Sequence, residues 1–105
     1  MKEIKYKGKI FKTDDDEFLI SPNQYCKEWT EYSIQKDNIK ELTEEHYVVI
    51  NQIREFYKIH GEHPVIRNLM KLTGYNLRKI FQLFPLGPGK SACKIAGIPK
   101  PKGCM

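Results

Sequence analysis

Glycine and proline residues divide the second half of this 105-residue chain into short segments, and this division constrains the fold more than any other feature. Gly61, Gly74 and Gly97 each follow a stretch with apolar residues at helical spacing, and Pro85 follows another such stretch. Glycine is favoured just beyond the C-terminus of a helix, whereas proline disrupts a helix interior. The pattern therefore predicts several short helices.

Five helices are predicted from the apolar spacing and the capping residues. The first begins at Ser21-Pro22 and runs to about Gln35, and the second runs from its cap at Thr43 to Gly61. The other three occupy residues 64–73, 77–84 and 90–96. The side chains expected to face the core include Tyr25, Cys26, Trp29, His46, Val49, Ile53, Leu77, Ile80, Phe81 and Phe84.

The N-terminal segment predicts short strands. Ile4 and Tyr6 alternate with lysines, Gly8 marks a turn, and residues 18–20 follow the acidic turn 14–17 as a closing strand. The predicted fold class is α+β and mostly α: a small N-terminal β-hairpin packed on an orthogonal bundle of about five helices, with a flexible C-terminal arm. We assign residues 1–97 to the domain and residues 98–105 to the arm.

Length and charge narrow the class of protein and the kind of partner. A chain of this size forms one domain, and it lacks both the ~20 apolar residues of a membrane span and the apolar region of a signal peptide. We therefore expect a cytoplasmic protein. Residues 1–61 carry 10 basic and 12 acidic side chains (net −2), whereas residues 62–105 carry 8 basic and 1 acidic (net +7). The basic half favours a nucleic acid, an acidic protein surface or an anionic ligand channel as partner.

The two helices around Gly74 leave weak DNA binding as an alternative of another class. Residues 65–84 resemble a helix-turn-helix, and the basic side chains around the turn are Arg67, Lys71, Arg78 and Lys79. Packing alone produces the same turn in many small helical bundles. A DNA-binding regulator is therefore the less favoured interpretation.

No metal site is predicted. His60 and His63 are three residues apart, but Gly61 and Pro64 interrupt the helix that would place them on one face. The acidic run of residues 14–17 lacks the glycine and the distal glutamate of a calcium loop.

The three cysteines point to thiol chemistry at the C-terminus. Their number and wide spacing exclude a secreted disulfide framework and a zinc knuckle. Cys104 is next to last and follows Gly103, so nothing beyond it can bury it, and an exposed terminal thiol predicts a reactive role. Cys93 is the natural second thiol, because closing the 12-residue loop removes only roughly 3 kcal/mol of chain entropy. A thiol-exchange arm is favoured over an inert tail.

The composition of the tail supports this role. Pro99 and Pro101 favour an extended, stiff backbone, and glycines at both ends act as joints. Residues 98–105 fully extended reach about 25 Å. Lys100 and Lys102 can steer the arm into an anionic channel, and Lys102 also favours the thiolate form of the neighbouring cysteine.

The C-terminal segment carries a long and specific motif, Leu83 to Cys104, with the sequence LFPLGPGKSACKIAGIPKPKGC. This motif resembles the DsrC/TusE family, whose DsrC branch is also known as the gamma subunit of dissimilatory sulfite reductase. The stretches YKGK at residues 6–9 and WTEY at residues 29–32, and residues 61–71, also match in kind and order. The resemblance covers nearly the whole chain.

Two branches of this family differ in their cysteines. The TusE branch relays sulfur during tRNA thiolation, and it typically keeps the penultimate cysteine but lacks the upstream one. The presence of both Cys93 and Cys104, together with the short connection of residues 72–76, favours the DsrC branch. A TusE-like relay remains the alternative.

The resemblance implies a sulfur carrier that is not itself an enzyme and binds no cofactor. The arm is expected to enter the catalytic alpha and beta subunits of dissimilatory sulfite reductase, which hold the sirohaem and iron–sulfur clusters. Sulfur from sulfite passes to Cys104, Cys93 closes on it to give a trisulfide, and a membrane-bound reductase complex reduces that product. The free protein is expected to be a monomer, and the direction of sulfur flow stays open. The residues expected to dock the partner or substrate are Lys90, Lys100, Lys102, Arg67 and Lys71.

Two positions depart from the family pattern. Glu17 stands where the family usually has a turn glycine, which questions the geometry of that turn. Met105 replaces a small β-branched terminal residue. Neither change removes a reactive group.

Overall fold

The structure is a computed structural model that describes residues 1–100. Two predicted site residues, Cys104 and Lys102, lie outside this range. Within it, the chain forms a two-stranded antiparallel sheet and five α-helices, which confirms the predicted fold class. No helix in this part of the chain is long and apolar enough to cross a membrane.

The sheet is a tight hairpin at the N-terminus. Strand β1 (Lys2–Tyr6) pairs with β2 (Lys9–Thr13), and the connection consists of Lys7 and Gly8 alone. Both connecting residues have positive φ, 48° and 79°. This is the pattern of the type I′ turn, whose twist matches that of the strands it joins.

One face of the hairpin is buried against Trp29. Ile4 lies opposite Phe11 in the ladder, and the Phe11 ring is 5.2 Å from the Trp29 ring, centroid to centroid. Trp29 has no exposed surface, so its predicted role in the core is confirmed.

The predicted closing strand over residues 18–20 is wrong. Only an isolated bridge between Thr13 and Leu19 continues the sheet. The chain instead closes a turn on Asp14, whose carboxylate accepts the backbone N–H groups of Asp16 and Phe18 at 2.9 and 3.0 Å. This local hydrogen bonding competes with a regular ladder.

Glu17 adopts the left-handed conformation that a glycine would adopt at the same position. Its φ is 67°, so the turn is retained despite the substitution. The Glu17 carboxylate accepts hydrogen bonds from Lys2 Nζ at 3.1 Å and from Tyr32 Oη at 3.0 Å. Burial and this carboxylate raise the pKa of Tyr32 to about 12.

The five helices are α1 (Lys27–Lys36), α2 (Glu44–His60), α3 (Ile66–Thr73), α4 (Leu77–Leu83) and α5 (Cys93–Ile95). A π-helical turn, Pro88–Ala92, runs directly into α5.

The first helix begins later than predicted. A short 3-10 turn covers Pro22–Gln24, and the next two residues, Tyr25 and Cys26, are extended before α1 starts. Gln24 Oε1 accepts the backbone N–H of Lys12 in β2 at 3.1 Å, which holds this turn on the sheet. Cys26 is therefore a half-buried N-cap, not a residue within the helix and core. It lines a groove of about 410 Å³ between the turn and β2.

The predicted N-caps of α2 and α4, Thr43 and Asn76, are confirmed. Thr43 Oγ1 accepts the N–H of His46, and His46 Nδ1 accepts the N–H of Thr43 at 3.1 Å. His46 Nε2 therefore carries the proton and donates to the Leu83 carbonyl at 2.9 Å, which joins the start of α2 to the end of α4. Burial lowers the pKa of His46. Asn76 caps α4 by accepting the N–H of Lys79 at 2.8 Å.

The main core forms where α2, α3, α4 and α5 meet. Its fully buried side chains include Val49, Ile50, Ile53, Leu69, Ile80, Phe84 and Ile95.

Two predicted core positions are wrong: Leu77 and Phe81 are 46% and 45% exposed. A helix as short as α4 buries only one narrow stripe, around Ile80, and these two side chains lie outside it.

Candidate functional site

The candidate site is built on residues 88–98, here called the Cys93 segment. Cys93 lies on the last helix, as predicted, and is the first residue of α5. Cys93 and the two flanking alanines, Ala92 and Ala96, expose no surface. Ile98, the first residue of the predicted arm, is 1% exposed and belongs to the main core. The segment is therefore part of the folded body up to the point where the prolines begin.

Burial sets the protonation state of Cys93. It raises the pKa of the thiol to about 12, so Cys93 is protonated at neutral pH. The thiolate is the nucleophilic form of cysteine. In this arrangement the Cys93 thiol is a poor nucleophile.

A buried carboxylate holds the Cys93 segment to the end of α1. Asp37, at the C-cap of α1, accepts a hydrogen bond from Ser91 Oγ at 2.6 Å and one from Lys94 Nζ at 3.1 Å. The Asp37 side chain is 1% exposed and that of Lys94 15% exposed. The two donors flank Cys93 in the sequence, so this network restrains the residues on either side of the thiol.

The backbone of the segment is held from a second side by Trp29. Its indole Nε1–H donates to the Lys94 carbonyl at 2.8 Å. The same carbonyl also accepts the backbone N–H of Gly97 at 3.1 Å, so the indole adds a long-range hydrogen bond to the local one. Trp29 therefore joins the hairpin, α1 and α5.

The end of the segment contacts Arg54 and Tyr25. Arg54 Nη1, on α2, donates to the Ala96 carbonyl at 2.7 Å, and its guanidinium lies 4.0 Å from the centre of the Tyr25 ring. Tyr25 packs directly on Gly97, where an added Cβ would lie 2.6 Å from the ring carbon Cδ1. Gly97 has a φ of 75°, and this left-handed residue ends the helical turn.

The described part of the arm ends in an ion pair. Lys100 Nζ contacts the carboxylate of Asp16 in the turn after β2. This pairing raises the pKa of Lys100 and lowers that of Asp16. Both side chains are exposed, so the pair is open to solvent and salt.

The other predicted docking residues are exposed on two elements. Lys90 projects from the Cys93 segment, whereas Arg67 and Lys71 lie one turn apart on α3. Within residues 1–100, no carboxylate lies within 4.0 Å of these three side chains. Their charge is thus not neutralised by a close acidic neighbour in this range. Their role in docking stays a prediction.

The helix pair around Gly74 offers a poor DNA-reading face. Lys79 is paired with Glu45 of α2 at 2.7 Å. Arg78 is exposed, but the same face of α4 also exposes Leu77 and Phe81. Apolar side chains in place of polar ones weaken the DNA-binding alternative.

The structure holds no group of three His, Cys, Asp or Glu side chains placed to bind a metal, as far as residues 1–100 are concerned. His60 instead stacks on Phe56, with the ring centres 4.2 Å apart.

Two residues of the site were missed by sequence reasoning. Arg54 lies four residues after Ile50 and three before Tyr57, and thus on the apolar face of α2, where a charged side chain needs a specific partner. That position was the available signal. Asp37 follows the end of α1 and carries no comparable signal, because its partners lie 54 and 57 positions away.

The hairpin, the five helices and a buried cysteine close to a basic C-terminus define a small thiol-bearing α+β protein. The family model described as "DsrC like protein" matches residues 5–105. The chain therefore belongs to the DsrC-like family, which confirms the resemblance drawn from the sequence.

Individual relatives agree with this assignment. The chain is 44% identical over 105 residues to the "Sulfite reductase, dissimilatory-type subunit gamma" of Nitratidesulfovibrio vulgaris, with 100% of both chains covered. It is 36% identical over 107 residues to "Sulfurtransferase TusE" of Salmonella paratyphi A, covering 95% of this chain and 97% of the relative. The crystal structure of the oxidised gamma-subunit of the dissimilatory sulfite reductase (DsrC) from Archaeoglobus fulgidus has a TM-score of 0.87 at 37% identity, covering 99% and 100%.

Proposed function

We propose that this protein is the sulfur-carrying gamma subunit, or co-substrate, of a dissimilatory sulfite reductase. Sulfite-derived sulfur is accepted on Cys104, and Cys93 closes on it to form a Cys93–S–Cys104 trisulfide. The main support is the 44% identity to a gamma subunit over the full length of both chains. The presence of both cysteines in the sequence supports the two-thiol chemistry.

The order of the two thiols follows from their surroundings. The buried, protonated Cys93 is a poor first acceptor, because attack on sulfur requires a thiolate. Cys104 lies at the end of the arm beside Lys102, a cation that favours the thiolate. Cys104 therefore takes up the sulfur first. Cys93 reacts when the arm returns to it, and the proton of its thiol leaves with the last sulfite-derived oxygen as water.

The trisulfide step balances with an external source of two electrons. Sulfite and two thiols, with two electrons and four protons, give one trisulfide and three water molecules. The partner reductase supplies two of the electrons, and the thiols supply the other two as their sulfurs become linked. Four further electrons and four protons, delivered by a membrane-bound reductase complex, return the two thiols and release sulfide.

Because this chain only carries sulfur, its partners perform the reduction of sulfite and of the trisulfide. The catalytic alpha and beta subunits hold the sirohaem and iron–sulfur clusters, and this chain binds no cofactor and is not an enzyme by itself. It acts in the cytoplasm and is a monomer when free. Lys90, Arg67 and Lys71 present positive charge that no carboxylate within residues 1–100 pairs, and on docking Lys100 leaves Asp16 for an acidic group of the partner.

The TusE-like alternative differs in its partner and in its need for Cys93. TusE relatives at 36% identity share the fold but are less similar than the gamma subunit. A relay that hands sulfur on from a persulfide requires Cys104 alone. Loss of function on replacing Cys93 therefore favours the trisulfide carrier over the relay.

The proposal is tested in sulfite-respiring cells that lack their own gamma subunit and express this chain. We expect Cys104→Ala and Cys93→Ala to abolish sulfite-dependent growth and Cys26→Ala to have no effect, since Cys26 lies at a separate groove. Full growth with Cys104→Ala would exclude the carrier function. Failure of the unmodified chain to restore growth would favour the relay, whose partner is different, and growth retained with Cys93→Ala would contradict the trisulfide step.

A further inference from the structure

The Ala96 carbonyl, at the C-cap of α5, has its hydrogen bond from another element. The Ala92 carbonyl accepts the N–H of Ala96 at 2.8 Å, and the Cys93 carbonyl accepts that of Ile98 at 3.3 Å, so both are satisfied within the segment. The Ala96 carbonyl, by contrast, accepts from the Arg54 guanidinium on α2 at 2.7 Å. It lies directly before the left-handed Gly97.

Arg54 is itself fixed by a second contact. Its guanidinium stacks on the Tyr25 ring at 4.0 Å, and the same ring covers Gly97 so closely that no side chain fits there. Arginine suits this position because its planar group can stack and donate at the same time. Arg54, Tyr25, Ala96 and Gly97, here called the exit contact, thus bring α2, the turn before α1 and the end of α5 together at one point.

We infer that Arg54 is a positioning residue for the two-thiol chemistry, because through the exit contact it holds the Cys93 turn and the start of the arm in one fixed relation. A bridge between Cys93 and Cys104 closes a 12-residue loop. The cost of closure grows with the number of residues that must be ordered. Because residues 93–98 are already held, the exit contact takes these six residues out of the part of the loop whose ordering opposes closure. Without Arg54, the turn and the start of the arm also have to be ordered.

The exit contact lies apart from the groups that take part in the chemistry. Arg54 touches the backbone and an aromatic ring, so it acts through position and not by contact with sulfur. The assignment of Cys93 and Cys104 as the carrier pair rests on the proposed function. Glutathione disulfide alone can form the bridge. It is reduced to two molecules of glutathione while Cys93 and Cys104 are oxidised to a disulfide. The test therefore does not require sulfite or a partner.

The experiment measures the equilibrium constant of the Cys93–Cys104 bridge in glutathione buffers, in the full chain with Cys26→Ser to prevent other pairings. Hydrogen exchange of the α2 and α4 amides in the reduced protein is followed in parallel as a measure of overall stability. Arg54→Met removes the donor and the stacking cation at similar length. Arg54→Lys restores a cation, and Lys58→Met is the matched control one turn further along the exposed side of α2.

We expect Arg54→Met to lower the bridge equilibrium constant by about tenfold, Arg54→Lys to recover part of it, and Lys58→Met to leave it unchanged. Protection of the α2 and α4 amides should change much less. An unchanged bridge constant in Arg54→Met would overturn the inference. An equal loss of protection in α2 and α4 would also overturn it, because Arg54 would then only stabilise the fold. A normal bridge constant in a chain that never acquires sulfur would count against the proposed function alone.

Discussion

Cys93 is the residue whose reactivity depends most on the fold around it. A cysteine in an unfolded chain titrates near 9.0, whereas burial keeps the folded Cys93 protonated up to about 12. Because the folded state holds the proton more tightly, this group contributes stability that is complete below pH 9. That contribution declines as the pH rises from 9 towards 12.

This difference predicts a pH-dependent effect of Cys93→Ala. In a reduced Cys104→Ser background, the free energy of unfolding of the Cys93 protein should fall relative to that of Cys93→Ala by up to about 1.4 kcal/mol per pH unit above pH 9. Urea unfolding of both proteins at about pH 8 and pH 10 measures it. Parallel losses in the two proteins would mean that Cys93 is not shielded from water.

Gly97 is the residue at which steric space is tightest. Its φ of 75° resembles the 76° of Gly74. The two glycines differ in their surroundings: a Cβ added at Gly97 would meet the Tyr25 ring, whereas nothing lies within 4 Å of a Cβ added at Gly74. Gly74→Ala should therefore cost only the conformational strain, about 1 kcal/mol. Gly97→Ala should cost roughly 2 kcal/mol more because Tyr25 has to move.

Chemical denaturation of the two alanine variants measures this difference. In a Tyr25→Ala background, the ring atoms that lie 2.6 and 3.2 Å from the new Cβ are gone, although the Cβ of residue 25 at 3.0 Å remains. The excess cost of Gly97→Ala should shrink there. An excess that persists in full would rule out the ring as its cause.

At the scale of elements, the Cys93 segment is attached to α1 through charge. Lys94→Met removes the cation and leaves the Asp37 carboxylate buried without its ion-pair partner. Breaking a buried pair from one side costs roughly 3 kcal/mol. Asp37→Asn combined with Lys94→Met leaves no buried charge and keeps an acceptor for Ser91, so the double variant should be more stable than Lys94→Met alone.

Thermal and urea unfolding check this order. Lys90→Met, on the same segment but exposed, should change stability by no more than about 0.5 kcal/mol. If the double variant were less stable than Lys94→Met, the uncompensated charge would not be the source of the loss.

Local capping residues predicted the ends of several helices, whereas contacts between distant residues decided the rest of the fold. Thr43, Asn76, Gly61 and Gly74 act within their own turns, so their sequence is sufficient to place α2, α3 and α4. The late start of α1 was missed because it depends on Tyr25, which must reach Gly97.

The candidate site was likewise predicted in part. The sequence placed Cys93 on the last helix, but it could not show that Arg54 and Asp37 hold that helix, since these contacts join residues 42 and 54 positions apart. The exposure of Leu77 and Phe81 was missed for a related reason. In a helix as short as α4, helical spacing does not determine how wide the buried stripe is.

At the scale of the whole molecule, the charge is segregated along the chain. Residues 62–105 carry a net charge of +7 and residues 1–61 one of −2. If the proposed function holds, association with the catalytic subunits should weaken as ionic strength rises. Lys90→Glu should weaken it by roughly fivefold, whereas Lys58→Glu on the acidic half should have little effect.

Binding measured by surface plasmon resonance at several salt concentrations tests this point. Equal effects of the two charge reversals would show that net charge, and not the face that carries the Cys93 segment, governs association.

The carrier function is tested most directly by the intact mass of the protein after turnover with sulfite, an electron donor and the catalytic subunits. We expect a gain of one sulfur atom less two hydrogen atoms, reversed by reductant, with Cys93 and Cys104 linked through the added sulfur. Cys93→Ala and Cys104→Ala should both fail to form this bridge. A chain that turns over with the reductase yet never gains sulfur would contradict the carrier function.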